Sequence, residues 1–482
     1  NMDPGSSDFL RSLWNLEELP TDETICAWGS NDQVADINNM SWSSLNQWPY
    51  ILYDRSMYAI TIATSFLQNT ASAPSSFSQT QLDSLKTYRA EARFVRAFQY
   101  WALMDVFGSP AFIDDNSPIG TKFMPQQISR DSLFGFIESE LMAIQPDLAA
   151  PHTNEYGRAD QAADWALLAR MYLNAQVYTG TARWTDAITY ASKVIGAGYS
   201  LMPQYNRLFM ADNDQNNPEV IFPIPYDANN GQTYGGTTFL VQSMIDSKTP
   251  QSVMATMGVP GSSGWGGNRA RRQFPYFFTG TDNNNTDFTG VGDARAALLT
   301  VSTNTGAYSN NDAYLIDAAS SFEQGVETPK YRNMNSDGSL PTGAGTFCSI
   351  DFPLFRLAEM YLIYAEAVKN GGSGGDQNTA TSYINALRTR AKATTVTWSQ
   401  IAGNDANSGL PFILAERSRE LYLESFRRTD LIRFNDFTTS NYIWDWKGGT
   451  QNGSSVDNHY NLYPLPANEM TVNTNLKQNA GY

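Results

Sequence analysis

Apolar residues recur at intervals of three and four positions along several stretches of the chain, a spacing that predicts amphipathic α-helices. Two stretches share the spacing W-x2-L-[G/A]-x2-Y, with Leu in place of Trp in one of them, and a third matches it more loosely. The matching residues are Trp165, Leu168, Ala169 and Tyr172; Leu354, Leu357, Ala358 and Tyr361; and Phe94, Ala97 and Trp101. This spacing is the first-helix signature of a tetratricopeptide repeat, in which the small residue lets two helices approach closely.

A second helix is predicted after each of the two closer matches, as a repeat built from helix pairs requires. Ala187 and Ala191 keep the small-residue spacing after the first match, and residues 379–391 have helical periodicity after the second. Three unrelated amphipathic helices are the alternative. Because the spacing recurs, we predict a mostly α-helical protein in which at least three helix pairs pack as tetratricopeptide-like hairpins.

Residues 411–434 also have helical periodicity, and they carry charges of both signs at helical pair spacings. The predicted pairs are Glu416–Arg419, Glu424–Arg428 and Asp430–Arg433. Such pairs ordinarily lie on a solvated or half-buried face, where each contributes about 0.2–0.5 kcal/mol. The sequence therefore predicts a single helix with a charged outer face and no catalytic role.

The helical pattern is lost between residues 200 and 350, where Gly, Asn, Ser and Thr dominate, and again in the tail from 438 to 482. Long loops on a rigid scaffold are common places for ligand binding. The whole pattern thus predicts a helical-repeat scaffold with long loop-rich insertions.

Composition limits the classes of function. The 482 residues are 41% hydrophobic and 13% aromatic, enough for a large buried core, and the formal net charge is −16. Such an acidic chain argues against nucleic acid as a partner, because binding to phosphates needs a basic surface. No apolar run reaches the roughly 18 residues of a transmembrane helix.

Cysteine and histidine are scarce. Cys26 and Cys348 lie far apart and outside any C-x-x-C motif, which excludes zinc ribbons, iron–sulfur sites and thioredoxin-like motifs. Two unrelated buried thiols are favoured over a disulfide. His152 and His459 lack the companion motifs of serine hydrolases and zinc proteases, so both are predicted to lie at the surface. A glycoside hydrolase with two carboxylates stays open as an alternative.

Six blocks of sequence stand in order along nearly the whole chain: EARFVRAFQYWALMDVFGSPAFI, ADWALLARMYLNAQVYTG, NPEVIFPIPY, DFPLFRLAEMYLIYAEAVKN, RSRELYLESFRRTDLIRF and LYPLPANEMTVNTNLKQNAGY. Together they resemble the SusD/RagB family of outer-membrane glycan-binding lipoproteins. The start of the chain departs from that family, whose members begin with a lipidated cysteine and an initial helical stretch. Lipidation is therefore implied by the resemblance alone.

The resemblance implies four tetratricopeptide-like helix pairs, in an N-terminal part (1–198) and a C-terminal part (199–482) that holds the insertion 200–350 and helices within 352–435. It implies a non-catalytic lipoprotein on the surface of the outer membrane, attached only through an N-terminal lipid anchor absent from this chain. Its expected role is to capture an oligosaccharide or polysaccharide and deliver it to a SusC-type TonB-dependent transporter. Peptide capture, as in the RagB branch, is an alternative.

Sugars present apolar C–H faces and many hydroxyls, so a glycan site needs aromatic platforms beside side chains that hydrogen-bond hydroxyl groups. Two stretches, 24–50 and 258–278, supply both. The predicted glycan-binding residues are Trp28, Asn31, Asp32, Trp42, Trp265, Asn268 and Arg269. Trp265 is the strongest candidate, because flanking glycines leave little local chain to bury it. Tryptophans within helical periodicity are assigned to the core: Trp14, Trp101, Trp165 and Trp184.

Two further features have ordinary interpretations. Arg271 and Arg272 are expected to pair with nearby carboxylates rather than with an acidic sugar. Residues 282–293 place oxygen-bearing side chains at some positions of an EF-hand loop, but Asp287 and Asp293 occupy the positions of its glycine and usual glutamate. A polar loop is favoured over a calcium site there, and we predict no cofactor.

Overall fold

The computed structural model describes residues 8–29, 32–118, 123–280, 285–301 and 312–482. The protein is mostly α-helical, as the apolar pattern predicts. The helices are α1 Phe9–Glu18, α2 Val34–Asn38, α3 Gln47–Asn69, α4 Gln79–Phe107, α5 Arg130–Ile144, α6 Gln161–Leu173, α7 Ala175–Thr179, α8 Trp184–Ile195, α9 Gly236–Gln242, α10 Gln251–Met254, α11 Gln273–Thr279, α12 Leu357–Lys369, α13 Gln377–Arg390, α14 Trp398–Ala402, α15 Phe412–Leu421, α16 Arg427–Arg433 and α17 Ala467–Val472. The strands are β1 Thr24–Cys26, β2 Val220–Ile224, β3 Asn268–Ala270, β4 Thr300–Val301, β5 Val326–Glu327 and β6 Phe352–Arg356.

The helices pack in pairs, with α3 on α4, α6 on α8, and α12 on α13. The last tyrosine of each close sequence match contacts the partner helix. The ring of Tyr172 lies 5.5 Å from that of Tyr190 on α8, and the ring of Tyr361 stacks on that of Tyr383 on α13 at 4.4 Å. The repeated spacing therefore marks real helix–helix contacts.

The second match begins in a strand rather than in a helix. Leu354 lies in β6, which pairs antiparallel with β2, and α12 begins only at Leu357. All five residues of β6 are buried. Spacing alone could not distinguish this short buried strand from a first helical turn, because a short, mostly apolar run is compatible with both.

The helix predicted over residues 411–434 is in fact two helices, α15 and α16, separated by a break. Leu423 and Ser425 have positive φ angles of 60° and 66°, which end the helical path. Glu18 of α1 accepts a hydrogen bond from the Ser425 amide at 2.6 Å, and Glu23 accepts one from the Leu423 amide at 3.2 Å. Carboxylates from the N-terminal segment thus replace the helical partners of these amides.

The charges on α15 and α16 are buried, not solvated. The predicted pairs Glu416–Arg419 (3.0 Å) and Asp430–Arg433 (2.8 Å) form, with all four side chains at most 7% exposed. The predicted pair Glu424–Arg428 is wrong. The positive-φ break separates the two residues, so they take distant partners.

These distant partners connect separate parts of the chain. Glu424 pairs with Lys330 and Arg356, each at 2.7 Å, and Arg428 pairs with Glu17 of α1 at 2.9 Å. Buried ion pairs require close geometry on both sides, because the desolvation cost is large. The cluster therefore fixes the packing of the N-terminal helix, the 330–356 segment and α15–α16 together.

Both cysteines are free thiols in the core, as predicted. Burial raises the pKa of each thiol to about 12, which keeps both protonated at neutral pH. Trp14 and Trp101 are core residues, and Trp165 and Trp184 are half-buried and packed against the core. Within the described ranges, no helix is long and apolar enough to cross a bilayer.

A small antiparallel sheet of order β1–β3–β5–β4 ties the N-terminal segment to the loop-rich region. Thr24 pairs with Ala270 and Cys26 with Asn268. Because of this register, the chain leaving β1 after Cys26 and the chain entering β3 before Asn268 lie side by side at one end of the sheet. Two of the predicted platforms, Trp28 and Trp265, are carried there.

Candidate functional site

Four aromatic rings form a continuous row at this end of the sheet, here called the aromatic face: Trp28, Trp265, Tyr234 and Phe347. Neighbouring ring centroids are 6.5 Å apart for Trp28–Trp265, 6.1 Å for Trp265–Tyr234 and 5.1 Å for Tyr234–Phe347. Tyr234 is 47% exposed, and the other three rings are half-buried. The fold thus brings together the two strongest sequence candidates.

The loop that carries Trp265 is fixed by backbone contacts. The Trp265 amide donates to the Gln242 carbonyl at 2.7 Å, and the Gly266 amide donates to the Ile245 carbonyl at 2.8 Å. Gly264 has φ 77°, and a Cβ there would lie 2.0 Å from the Ile245 oxygen. The glycines therefore allow close packing on α9, and Trp265 is held in place rather than carried on an open loop.

Trp28 is oriented from three sides. Its indole N–H donates to the Gly266 carbonyl at 3.1 Å, and its ring meets Phe239 edge-on at 5.8 Å. The guanidinium carbon of Arg11 lies 5.4 Å from the ring centroid, a cation–π distance. With N–H and one edge occupied inside the protein, the ring has little freedom to reorient on binding a ligand.

Tyr234 and Phe347 are the members of the aromatic face that the sequence analysis did not name. Tyr234 is followed by Gly235 and Gly236, much as Trp265 is followed by Gly266 and Gly267. That signal was available in the sequence. Nothing local marks Phe347, which joins the face only because residues near 346 pack on α9: the Gln242 side chain donates to the Thr346 carbonyl at 3.0 Å.

Asn268 and Arg269 do not lie on the aromatic face, because both are buried, at 0% and 1% exposure. The side-chain amide of Asn268 donates to Ser243 Oγ at 2.7 Å. The Arg269 guanidinium pairs with Asp246 and donates to the Phe322 carbonyl at 2.5 Å. The prediction that they hydrogen-bond sugar hydroxyls is not supported. Strand pairing with β1 and β5 turns this segment inward.

Trp42 is also buried, at 2% exposure. It stacks on Tyr463 at 4.2 Å and donates its N–H to the hydroxyl of Tyr482 at 2.7 Å, so it presents no ring face to a ligand. Asp32 is half-buried, and its backbone carbonyl accepts the indole N–H of Trp48 at 2.8 Å. Asn31 lies outside the described residues.

Arg271 and Arg272 differ in their partners. Arg272 forms the expected ion pair, with Asp312 at 2.8 Å. Arg271 does not: its guanidinium donates to four backbone carbonyls, those of Leu19, Thr24, Asn38 and Asp445, at 2.5–3.0 Å. Burial lowers the pKa of Arg271 to about 9. Its role is to hold the chain around β1.

A cleft of about 570 Å³ is lined in part by Ser262 and Ser263, which shortly precede Trp265 in the chain. Its polar walls include Asp246, Thr249 and Ser262, and its apolar walls include Met254 and Pro260. Asp246 also lies close to the backbone of Gly266, so the cleft adjoins the aromatic face. Hydroxyl and carboxylate groups beside a flat ring are the combination that a sugar needs.

Metal ligation finds no support in this part of the molecule. Across the described ranges, no group of three or more His, Cys, Asp or Glu side chains is placed to hold an ion. Of the 282–293 loop, Asp282 and Asn284 lie outside the described residues. Asp293 pairs with Arg295 at 2.7 Å.

Comparisons with known proteins agree with this architecture. Residues 263–482 match the model of the SusD family. The starch-binding protein SusD of Bacteroides thetaiotaomicron is 38% identical over an alignment that covers 100% of this chain and 87% of SusD.

Solved structures show the same fold. A SusD-like protein of Bacteroides fragilis superposes with a TM-score of 0.73 at 18% identity, covering 98% of this chain and 94% of its own. Surface glycan-binding protein A of Bacteroides fluxus gives 0.69 at 21% identity, covering 97% and 93%. SusD and the Bacteroides fluxus protein are named as binding proteins, in agreement with the prediction of a non-catalytic protein. The chain belongs to the SusD family.

Proposed function

We propose that this protein binds an oligosaccharide or polysaccharide on the aromatic face and passes it to a SusC-type TonB-dependent transporter at the surface of the outer membrane. The observation that carries the binding step is the row Trp28–Trp265–Tyr234, with ring centroids 6.1–6.5 Å apart. Successive rings offer platforms for successive sugar units, and aromatic contact supplies most of the affinity, because hydrogen bonds largely replace those to water.

The ligand we propose is an α-glucan of the starch type. The relative that is 38% identical over the whole chain is named for starch binding. Neutral sugars also suit the charge of the region. Arg269, which the sequence offered as a sugar contact, is buried and paired with Asp246, so it is not available to an acidic sugar.

Delivery and location rest on the family. A partner transporter and an N-terminal lipid anchor are properties that the resemblance implies, and we propose both for this protein. Peptide binding is the alternative function, since apolar rings beside a polar cleft could also hold an extended peptide.

Screening on a glycan array and against a peptide pool tests the ligand class. We expect binding to starch-type glucans with Kd between about 1 mM and 1 µM, corresponding to about −4 to −8 kcal/mol, weak enough for release to a transporter. Isothermal titration with maltoheptaose then gives the affinity. Peptide binding without glycan binding, or shortening of the glycan during incubation, would contradict the proposal.

Delivery is tested separately, by affinity purification of the natural, full-length protein from native outer membranes. We expect a TonB-dependent β-barrel protein to co-purify in about equal amount. Repeated recovery of the protein without such a barrel would reject the delivery step while leaving glycan binding intact.

A further inference from the structure

We infer that the glycan site extends past Trp28 into a second cleft that ends at Trp446, so that the protein prefers long oligosaccharides over short ones. This inference rests on the proposed glycan function. The cleft has a volume of about 330 Å³ and lies between Trp28 and Trp446. Its other walls include Asn39, Asp317 and Ser320.

Trp446 is half-buried, and hydrogen bonds fix both its ring and its backbone. Its indole N–H donates to the Ile316 carbonyl at 2.9 Å, and its backbone amide donates to the Thr450 carbonyl at 3.0 Å. Its φ of 67° is unusual for a bulky residue. Such conformations persist where the surroundings enforce them, and they cluster at ligand sites.

The cleft adjoins the aromatic face through one shared residue and one shared loop. Trp28 belongs to the aromatic face and also lines this cleft. The loop 316–322 contacts both sites. The Ile316 carbonyl at its start accepts a hydrogen bond from the Trp446 indole, and the Phe322 carbonyl at its end accepts one from the Arg269 guanidinium. A glycan on Trp265 and Trp28 therefore has a continuous path toward Trp446.

The walls suit a hydroxyl-rich ligand. Asn39 lines the cleft beside Asp317, although its side-chain oxygen is itself buried. Asp317 accepts a hydrogen bond from Gln451 at 3.0 Å, which orients this carboxylate at the rim. Ser320 adds an exposed hydroxyl. Oxygen-bearing side chains between the rings of Trp28 and Trp446 would suit a sugar chain, whose surface alternates between hydroxyl groups and C–H faces.

The test compares maltotriose with maltoheptaose by isothermal titration against the unaltered protein, Trp446→Ala and Trp398→Ala. Trp398 is a half-buried tryptophan at the start of α14 and serves as the matched control. Losing one aromatic anchor should weaken maltoheptaose binding about tenfold in Trp446→Ala. Maltotriose binding should be unchanged, and Trp398→Ala should bind both sugars normally.

Two further variants keep the result interpretable. Ala318→Leu narrows the cleft from its exposed wall and leaves Trp446 itself unchanged. It should also weaken only maltoheptaose binding. Trp265→Ala should weaken binding of both sugars. Equal affinity of Trp446→Ala and the unaltered protein for maltoheptaose, or an equal loss for both sugars, would overturn the extended site. Failure of the unaltered protein to bind either sugar would instead reject the proposed α-glucan function, and this inference with it.

Discussion

The indole N–H of Trp28 and the backbone carbonyl of Gly266, 238 residues apart in sequence, are joined by a hydrogen bond of 3.1 Å. This bond links the platform at the end of β1 to the glycine loop that carries Trp265. The two rings therefore keep a fixed spacing before any ligand arrives. Pre-organisation of this kind saves the ordering cost that a flexible site would pay on binding.

Trp265→Ala is expected to weaken glycan binding about thirtyfold, the loss of an anchor worth ~2 kcal/mol. The melting temperature should fall only slightly, because the ring is half-buried at the surface. Titration calorimetry and thermal unfolding measure the two effects. Trp42→Ala is the contrast: its ring is 2% exposed, so it should cost about 3–5 kcal/mol of stability. Unchanged glycan affinity in folded Trp265→Ala would remove this ring from the site.

Gly267→Ala is expected to disturb the aromatic face itself. Gly267 has φ 103°, and a Cβ there would lie 2.3 Å from Trp28 Nε1, so the indole must move. Gly261→Ala is the matched control, since it has φ 79° but meets nothing within 4 Å. Both variants should lose about 1 kcal/mol or more to backbone strain, but only Gly267→Ala should also lose glycan affinity. The prediction fails if the two variants bind glycan equally well.

Glu424→Gln is expected to destabilise the fold by about 3–5 kcal/mol, because it leaves Lys330 and Arg356 with less countercharge in a buried cluster. Urea unfolding followed by circular dichroism measures this. Glu155→Gln removes a carboxylate that is 81% exposed and pairs with Arg158 at 3.3 Å, and it should cost less than about 1 kcal/mol. Similar small losses in both variants would show that the buried cluster does not hold the helices together.

Glu327 makes stability depend on pH. It is fully buried, and burial raises its pKa to about 7 although Arg269 opposes the shift. The folded state thus keeps a proton that the unfolded state releases near pH 4.5. Unfolding releases that proton, so this residue's contribution to stability falls as pH rises from about 4.5 to 7.

The expected size of this fall is on the order of 1–3 kcal/mol. Glu327→Gln, which resembles the protonated form, should flatten the fall and unfold at higher urea concentration than the unaltered protein at pH 7.5. Urea midpoints measured between pH 5 and 7.5 for both proteins check this. Parallel pH profiles for the two proteins would contradict the assignment.

The sequence by itself determined the helical class and the helix pairs, and it singled out Trp265, which lies on the aromatic face. Helical periodicity and a recurring small residue reflect contacts between neighbouring helices, such as Tyr172–Tyr190 and Tyr361–Tyr383, and these are largely set by local spacing. The glycines around Trp265 likewise mark a ring that the neighbouring chain leaves partly exposed. Both kinds of signal are readable without the fold.

Only the tertiary structure decided which polar candidates face outward and what the charges contact. Asn268 and Arg269 lie only three and four residues after Trp265, yet strand pairing with Cys26 and Ile25 turns them into the interior. Glu424 has a suitably spaced arginine in its own segment and nevertheless pairs with Lys330 and Arg356. The physical reason is the same in each case. Burial and ion pairing between residues far apart in sequence depend on which segments the fold brings into contact, and local spacing does not encode those contacts.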